Sequence, residues 1–274
     1  MIKRLLHIEQ IKLLNYNPFR ITLGIYFLAF ALGLLIYPAV DKEIPVISLS
    51  DLFRFPDVWL FLTWVTEPYN ILLALVIIMI TTKEFSNHTF KTQLVFGLSR
   101  TELLLQKLML IVVLALFATL LLGATSLTLG LIYSYKLTFH IALGNTYILV
   151  MYFISSLAYM SMGLLVALLV KNTAMSLLTF LAFRTFLDPV LFLILRKTEV
   201  KWYLPMRTTT KLTPVPDLIE IFERKMNNPD SINESTLEII PEGLPGWLNL
   251  LMVLLYTSLA IWASYRLMQR RRFV

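Results

Sequence analysis

From Leu108 to Tyr135 the chain runs without a charged residue, and as a helix that stretch would reach roughly 42 Å at about 1.5 Å per residue. A hydrocarbon layer about 30 Å thick accommodates such a segment if it tilts or protrudes. Similar apolar runs recur at Phe19 to Tyr37, Trp59 to Ile80, Tyr147 to Val170, Ala174 to Leu195 and Trp247 to Tyr265. Together they predict an all-α integral membrane protein with six transmembrane helices. A mean hydropathy of +0.74 with only 15% charged residues agrees with that class and excludes an ordinary soluble domain.

The polar segments fix the orientation. Thirteen basic residues fall in the segments that even span counting places on one side, against three in the two short segments opposite. By the positive-inside rule both termini are therefore cytoplasmic. The net charge of +7 then reads as contact with anionic membrane lipids, with no nucleic acid implied. Met1 to Asn17 mixes Ile2, Leu5, Leu6 and Ile8 with Lys3, Arg4 and Lys12, the pattern of an interfacial amphipathic helix. Asn17-Pro18 is the turn into the first span, which lacks an A-x-A-like cleavage site and reads as retained.

Lys83 to Lys107 is the first substantial loop on the inner face. Glu84 to Phe96 predicts one short helix, with apolar Phe85, Phe90, Leu94 and Phe96 set among polar residues. Gly97 supplies a helix stop, because glycine takes the left-handed conformation at little cost. Ser99-Arg100-Thr101-Glu102 has capping-box spacing and opens a helix that runs into the third span. These apolar side chains beside Lys91 and Arg100 look like a docking surface.

An acidic residue at the end of the second span, a polar Asn/Thr segment, Gly97-Leu98-Ser99-Arg100 and the late Lys107 resemble the permease subunits of bacterial ABC-2 type transporters. Phe55-Pro56-Asp57-Val58-Trp59, entering the second span, resembles small permeases of the same group. The resemblance implies a coupling helix in the 83–107 loop that fits a cleft on a separate ABC ATPase subunit. Its implied contacts are Glu84, Phe85, Phe90, Leu94, Phe96, Gly97, Ser99 and Arg100. It further implies two permease chains, the same or related, with two ATPase copies, in a bacterial plasma (inner) membrane. The expected activity is ATP-driven export. The alternative is a membrane anchor or scaffold in a motility or secretion assembly, without transport.

Within the spans three charged residues stand out. Glu67-Pro68 lies about two turns inside the second span and reads as a kink beside a water-accessible carboxylate, or as a substrate or proton contact. Arg184 and Asp188 are four residues apart on one helical face of the fifth span. They read as a mutually satisfied pair that fixes packing, or as a contact in the translocation path or at the subunit interface. Pro189 follows and predicts a kink. In the fourth span Gly163 and Ala167 give the spacing that allows close helix approach.

The segment 196–246 is a long external loop, predicted to place aromatics at interface height, to form a helix from Pro216 to Met226 and to cap the exit path. Catalytic motifs are lacking. No phosphate-binding G-x-x-x-x-G-K-[ST] occurs, and His7, His88 and His140 are too far apart for H-x-x-x-H metal spacing. With no cysteine, disulfides and thiolate chemistry are excluded. An intramembrane enzyme built on Arg184 and Asp188 is disfavoured, since no second carboxylate, histidine or serine site accompanies them. No cofactor or metal is expected, and ATP hydrolysis falls to a partner.

Overall fold

The computed structural model describes residues 16–40, 52–134, 139–216 and 243–270. The regular elements described are all helical: α1 (Asn17–Val40), α2 (Asp57–Thr66), α3 (Asn70–Ser86), α4 (Thr89–Val95), α5 (Arg100–Tyr133), α6 (Phe139–Ala142), α7 (Tyr147–Val170), α8 (Thr173–Ala182), α9 (Asp188–Ile194), α10 (Pro205–Lys211) and α11 (Gly246–Arg270). The interfacial helix expected at 1–17 and the helix expected at Pro216 to Met226 lie outside the described residues, apart from their end positions. Five helical stretches are long and apolar enough to cross a membrane: Asp57–Ser86, Arg100–Tyr133, His140–Val170, Thr173–Ile194 and Gly246–Arg270. In α1 the stretch whose side chains are described, Asn17–Leu32, is a shorter apolar helix.

The chain is apolar outside and partly polar inside, the arrangement that a hydrocarbon solvent favours. Leu120 and Ile132 of α5 and Ile194 of α9 are about 70% exposed, whereas Ser155, Ser156 and Thr81 are fully buried. Several inward hydroxyls escape the cost of facing lipid by returning to the protein backbone. Thr63, Thr66 and Thr82 each donate to the carbonyl four residues earlier.

α7 is the hub. It packs most extensively on α3, and also on α11, α5 and α8. The close α3–α7 approach depends on Gly163, where an added Cβ would stand 3.1 Å from the Ala74 carbonyl oxygen. Backbone cannot yield there as a side chain can. Gly163→Val is expected to cost about 1–3 kcal/mol by forcing the helices apart. Gly24→Ala, in open space on α1, is expected to leave the melting temperature unchanged. Equal melting temperatures for the two variants would remove the close-approach role.

Cross-helix hydrogen bonds hold the rest in register. Trp59 Nε1 donates to the Ala142 carbonyl at 2.8 Å, and Ser156 Oγ donates to Asn70 Oδ1 at 2.8 Å. The Tyr26 and Tyr152 hydroxyls meet at 3.4 Å between α1 and α7.

Two breaks interrupt the long helices. Glu67–Tyr69 forms a 3-10 turn between α2 and α3, where Pro68 has no N–H to continue the α-helical ladder. Phe183–Leu187 forms a π-helical turn between α8 and α9, immediately ahead of Asp188-Pro189. Single π turns widen a helix locally and often mark functional positions.

Candidate functional site

The connector between α3 and α5 is built differently from the single helix expected over Glu84–Phe96. Glu84 belongs to the end of α3, which continues to Ser86, and the break falls at Asn87 and His88. His88 takes a left-handed φ of 53°. The new helix α4 is seven residues long, Thr89–Val95.

Its C-terminal end is fully wired. Gly97 has φ +88°, its N–H donates to the Leu94 carbonyl at 3.1 Å, and the Leu98 N–H donates to the Gln93 carbonyl at 3.1 Å. Those two bonds are the Schellman pattern of a glycine-terminated helix. Ser99 then caps α5: its Oγ accepts from the Glu102 N–H at 3.2 Å, and Glu102 Oε2 accepts from the Ser99 N–H at 2.7 Å. Both halves of the capping box are present.

The eight connector residues expected to contact a partner divide sharply. Glu84 is buried, and its Oε1 accepts from Lys107 Nζ at 2.8 Å, so that carboxylate faces this chain's own α5. Phe90 is buried in the main core, and its ring lies 4.8 Å from that of the half-buried Phe85. Leu94 is also half-buried against that core. Arg100 donates to the Gln269 carbonyl near the end of α11, where carbonyls lack helical partners. Phe96 is 79% exposed, and the neighbouring Val95 78%. Gly97 and Ser99 are exposed beside them. The outward-facing apolar surface is therefore the tip Val95-Phe96.

The span charges come together around α10. This segment belongs to the expected external loop, yet it packs between α7 and α11. Ser155 Oγ donates to the Thr209 carbonyl at 3.2 Å, Asn249 Nδ2 donates to the Thr208 carbonyl at 3.1 Å, and Tyr256 Oη donates to the Tyr203 carbonyl at 2.5 Å. Ser155 and Tyr159 lie in the middle of α7, so the loop descends well into the bundle. The Tyr159 hydroxyl donates to Glu67 Oε1 at 2.8 Å and lies 2.8 Å from Thr210 Oγ1.

Arg184 acts electrostatically on both Glu67 and Asp188. Its Nε and Asp188 Oδ1 find no hydrogen-bond partner among the described residues. An i,i+4 pair needs 3.6 residues per turn, and the π turn across Phe183–Leu187 disturbs that register. Asp188 instead accepts a hydrogen bond from the Arg207 backbone N–H. That N–H belongs to the first turn of α10, where Leu204 offers no side-chain cap, so a carboxylate from another helix caps it. The Arg207 guanidinium stacks on the Phe192 ring at 3.5 Å.

Sequence reasoning did not find Tyr159, Thr210, Arg207 and Lys211 as members of one cluster. The available signal was a tyrosine in mid-span together with cations following Leu204-Pro205. No family model matches the chain, and no curated protein matches it.

Proposed function

We propose that the chain is the permease subunit of an ATP-driven ABC exporter, with six spans, both termini cytoplasmic and a separate ATPase docked on the α3–α5 connector. The observation that carries this reading is the Val95-Phe96 tip. Two large apolar side chains stand in the open between two long apolar helices, on a connector closed by a Schellman turn and a capping box. A rigid, exposed apolar tip binds a cleft without losing much conformational freedom, which favours affinity. The Glu84–Lys107 bond and the Arg100–Gln269 contact tie this connector to α5 and α11. Motion of a docked ATPase would thereby reach the spans. Helix α1, at 24 residues, is about 36 Å long at 1.5 Å per residue and supplies the sixth span of this reading.

The test is co-purification. Phe96→Asp is expected to leave the melting temperature of the isolated chain unchanged, because the side chain is exposed. It is expected to lower recovery of the ATPase subunits at least tenfold, since truncating a good apolar anchor costs about 2 kcal/mol or more. Undiminished recovery would move the docking role elsewhere. Stable assembly with other membrane components, without substrate-stimulated ATP turnover, would instead favour the anchor or scaffold.

Topology supplies a second check. Reporters inserted at 87–88 and after Arg270 are expected on the cytoplasmic side, and one at 225–235 outside. An outside connector would end the exporter reading.

A further inference from the structure

A cavity of about 620 Å³ lies between the Glu67–Tyr69 turn, the π turn that carries Arg184, and the end of α10 with the residues after it. That volume falls within the usual range for small-ligand sites. Trp64, Pro68 and Val215 form apolar walls, and Thr210 and Thr213, whose hydroxyls donate to the Met206 and Thr210 carbonyls, complete the lining with Lys211. We infer that this cavity binds an amphiphile with a single anionic head group, a carboxylate or a phosphate, its head against Arg184 and its tail along the Trp64 side.

The charges accessible to a guest decide the sign. Glu67 lines the cavity but is only 4% exposed, and its Oε1 is already engaged by the Tyr159 hydroxyl. Arg184 is half-exposed and lines the cavity. A guest therefore meets the guanidinium, with the carboxylate set beneath it. Arg184 is eleven residues along its span from Thr173, about 16 Å at 1.5 Å per residue, far from either end. A guanidinium at that depth is costly unless it faces polar groups or bound anions. Its Nε has no acceptor among the described residues, and Asp188 is shared with the Arg207 backbone. The planar guanidinium fork is suited to two-point binding of a carboxylate or phosphate. The π turn gives a physical reason for the opening, since widening the helix displaces Arg184 from the register in which Asp188 would have closed on it. The binding site goes beyond the exporter reading and does not depend on it, because binding is read on this chain alone.

The full chain in phosphatidylcholine nanodiscs would be exposed to a diazirine-bearing C12 fatty acid and to a C12 diazirine amine of the same length, with crosslinks mapped by mass spectrometry. The acid is expected to label the 64–69 and 210–215 segments, and the amine is not. Arg184→Gln is expected to reduce that labelling about tenfold or more, the effect of losing one charge-assisted contact, and Arg184→Lys, which keeps the charge but loses the two-point fork, to fall between Arg184→Gln and the unaltered chain. Should Arg184→Gln fail to fold, Val215→Trp, which fills the cavity from its wall, is expected to lower labelling in a folded chain. Competition by laurate alone assigns a carboxylate guest, and competition by dodecyl phosphate alone a phosphate. Labelling by the amine as strong as by the acid, or labelling unchanged in folded Arg184→Gln or Val215→Trp chains, would overturn the assignment.

Discussion

Replacing Lys107 by Met is expected to destabilise the chain by about 3–5 kcal/mol, the usual cost of leaving one partner of a buried ion pair alone. The Lys107 and Glu84 side chains are 2% and 7% exposed and meet at 2.8 Å. With the ammonium gone, the carboxylate stays buried but loses that partner. Taking up a proton or drawing in water offsets part of that loss, and either course loosens the α3–α5 contact. A chain in which both are neutral, Glu84→Gln/Lys107→Met, is expected to regain most of that loss. Thermal unfolding of the purified chain in one detergent measures both. A double variant as unstable as Lys107→Met would show that the lysine acts through its stem packing and not through its charge. Under the proposed exporter function the pair also bears on coupling. If the tip at Val95-Phe96 is where force enters, Glu84–Lys107 is where it passes to α5, and the double variant should bind an ATPase yet transmit its motion poorly.

The connector shows which parts of such a structure can be read in a sequence. Gly97 and the Ser99–Glu102 box were legible because each acts over three or four residues, and both take their expected local form. The break at Asn87-His88 was not. Nothing local prevents a helix from starting at Glu84, and the Lys107 that pairs with Glu84 in the last turns of α3 stands twenty-three residues away. The same distinction separates Phe90 from Phe96. Both are phenylalanines in one polar stretch, but Phe90 turns onto Phe85 and the core while Phe96 lies past the helix end.

α10 was hidden for another reason. Pro205-Met-Arg-Thr-Thr-Thr-Lys211 has the composition of a loop, and three successive threonines disfavour a helix in water. Inside the bundle their hydroxyls donate to their own helix: Thr208 and Thr209 to the Pro205 carbonyl, and Thr210 to that of Met206. A short helix that satisfies its own hydroxyls can be buried where a loop with open polar groups cannot. The kink at Glu67-Pro68 was legible from proline alone, whereas the companions of Glu67, Tyr159 and Thr210, required the tertiary fold.

Asp188→Ala is expected to release α10 from the bundle. The carboxylate accepts the Arg207 N–H and balances charge on both Arg184 and Arg207, and Asp188 is 4% exposed. A hydrogen bond to a buried charged group contributes about 1.5–3 kcal/mol, so its loss should raise the open fraction of α10 by roughly ten- to a hundredfold. The chain has no cysteine, which makes the opening directly measurable. Thr208 is 1% exposed and faces the α11 side through its carbonyl. A Thr208→Cys chain should therefore react slowly with a membrane-impermeant maleimide. Adding Asp188→Ala should accelerate that reaction by the same ten- to a hundredfold. Asp188→Asn separates the two contributions, because its amide oxygen can still accept the Arg207 N–H but carries no charge. A rate for the Asn variant close to that of Thr208→Cys alone would assign the docking of α10 to the hydrogen bond. A rate matching Asp188→Ala would assign it to the charge shared with Arg184. Slow labelling in both would mean that Ser155, Asn249 and Tyr256 hold α10 without Asp188, and the carboxylate would then serve Arg184 alone.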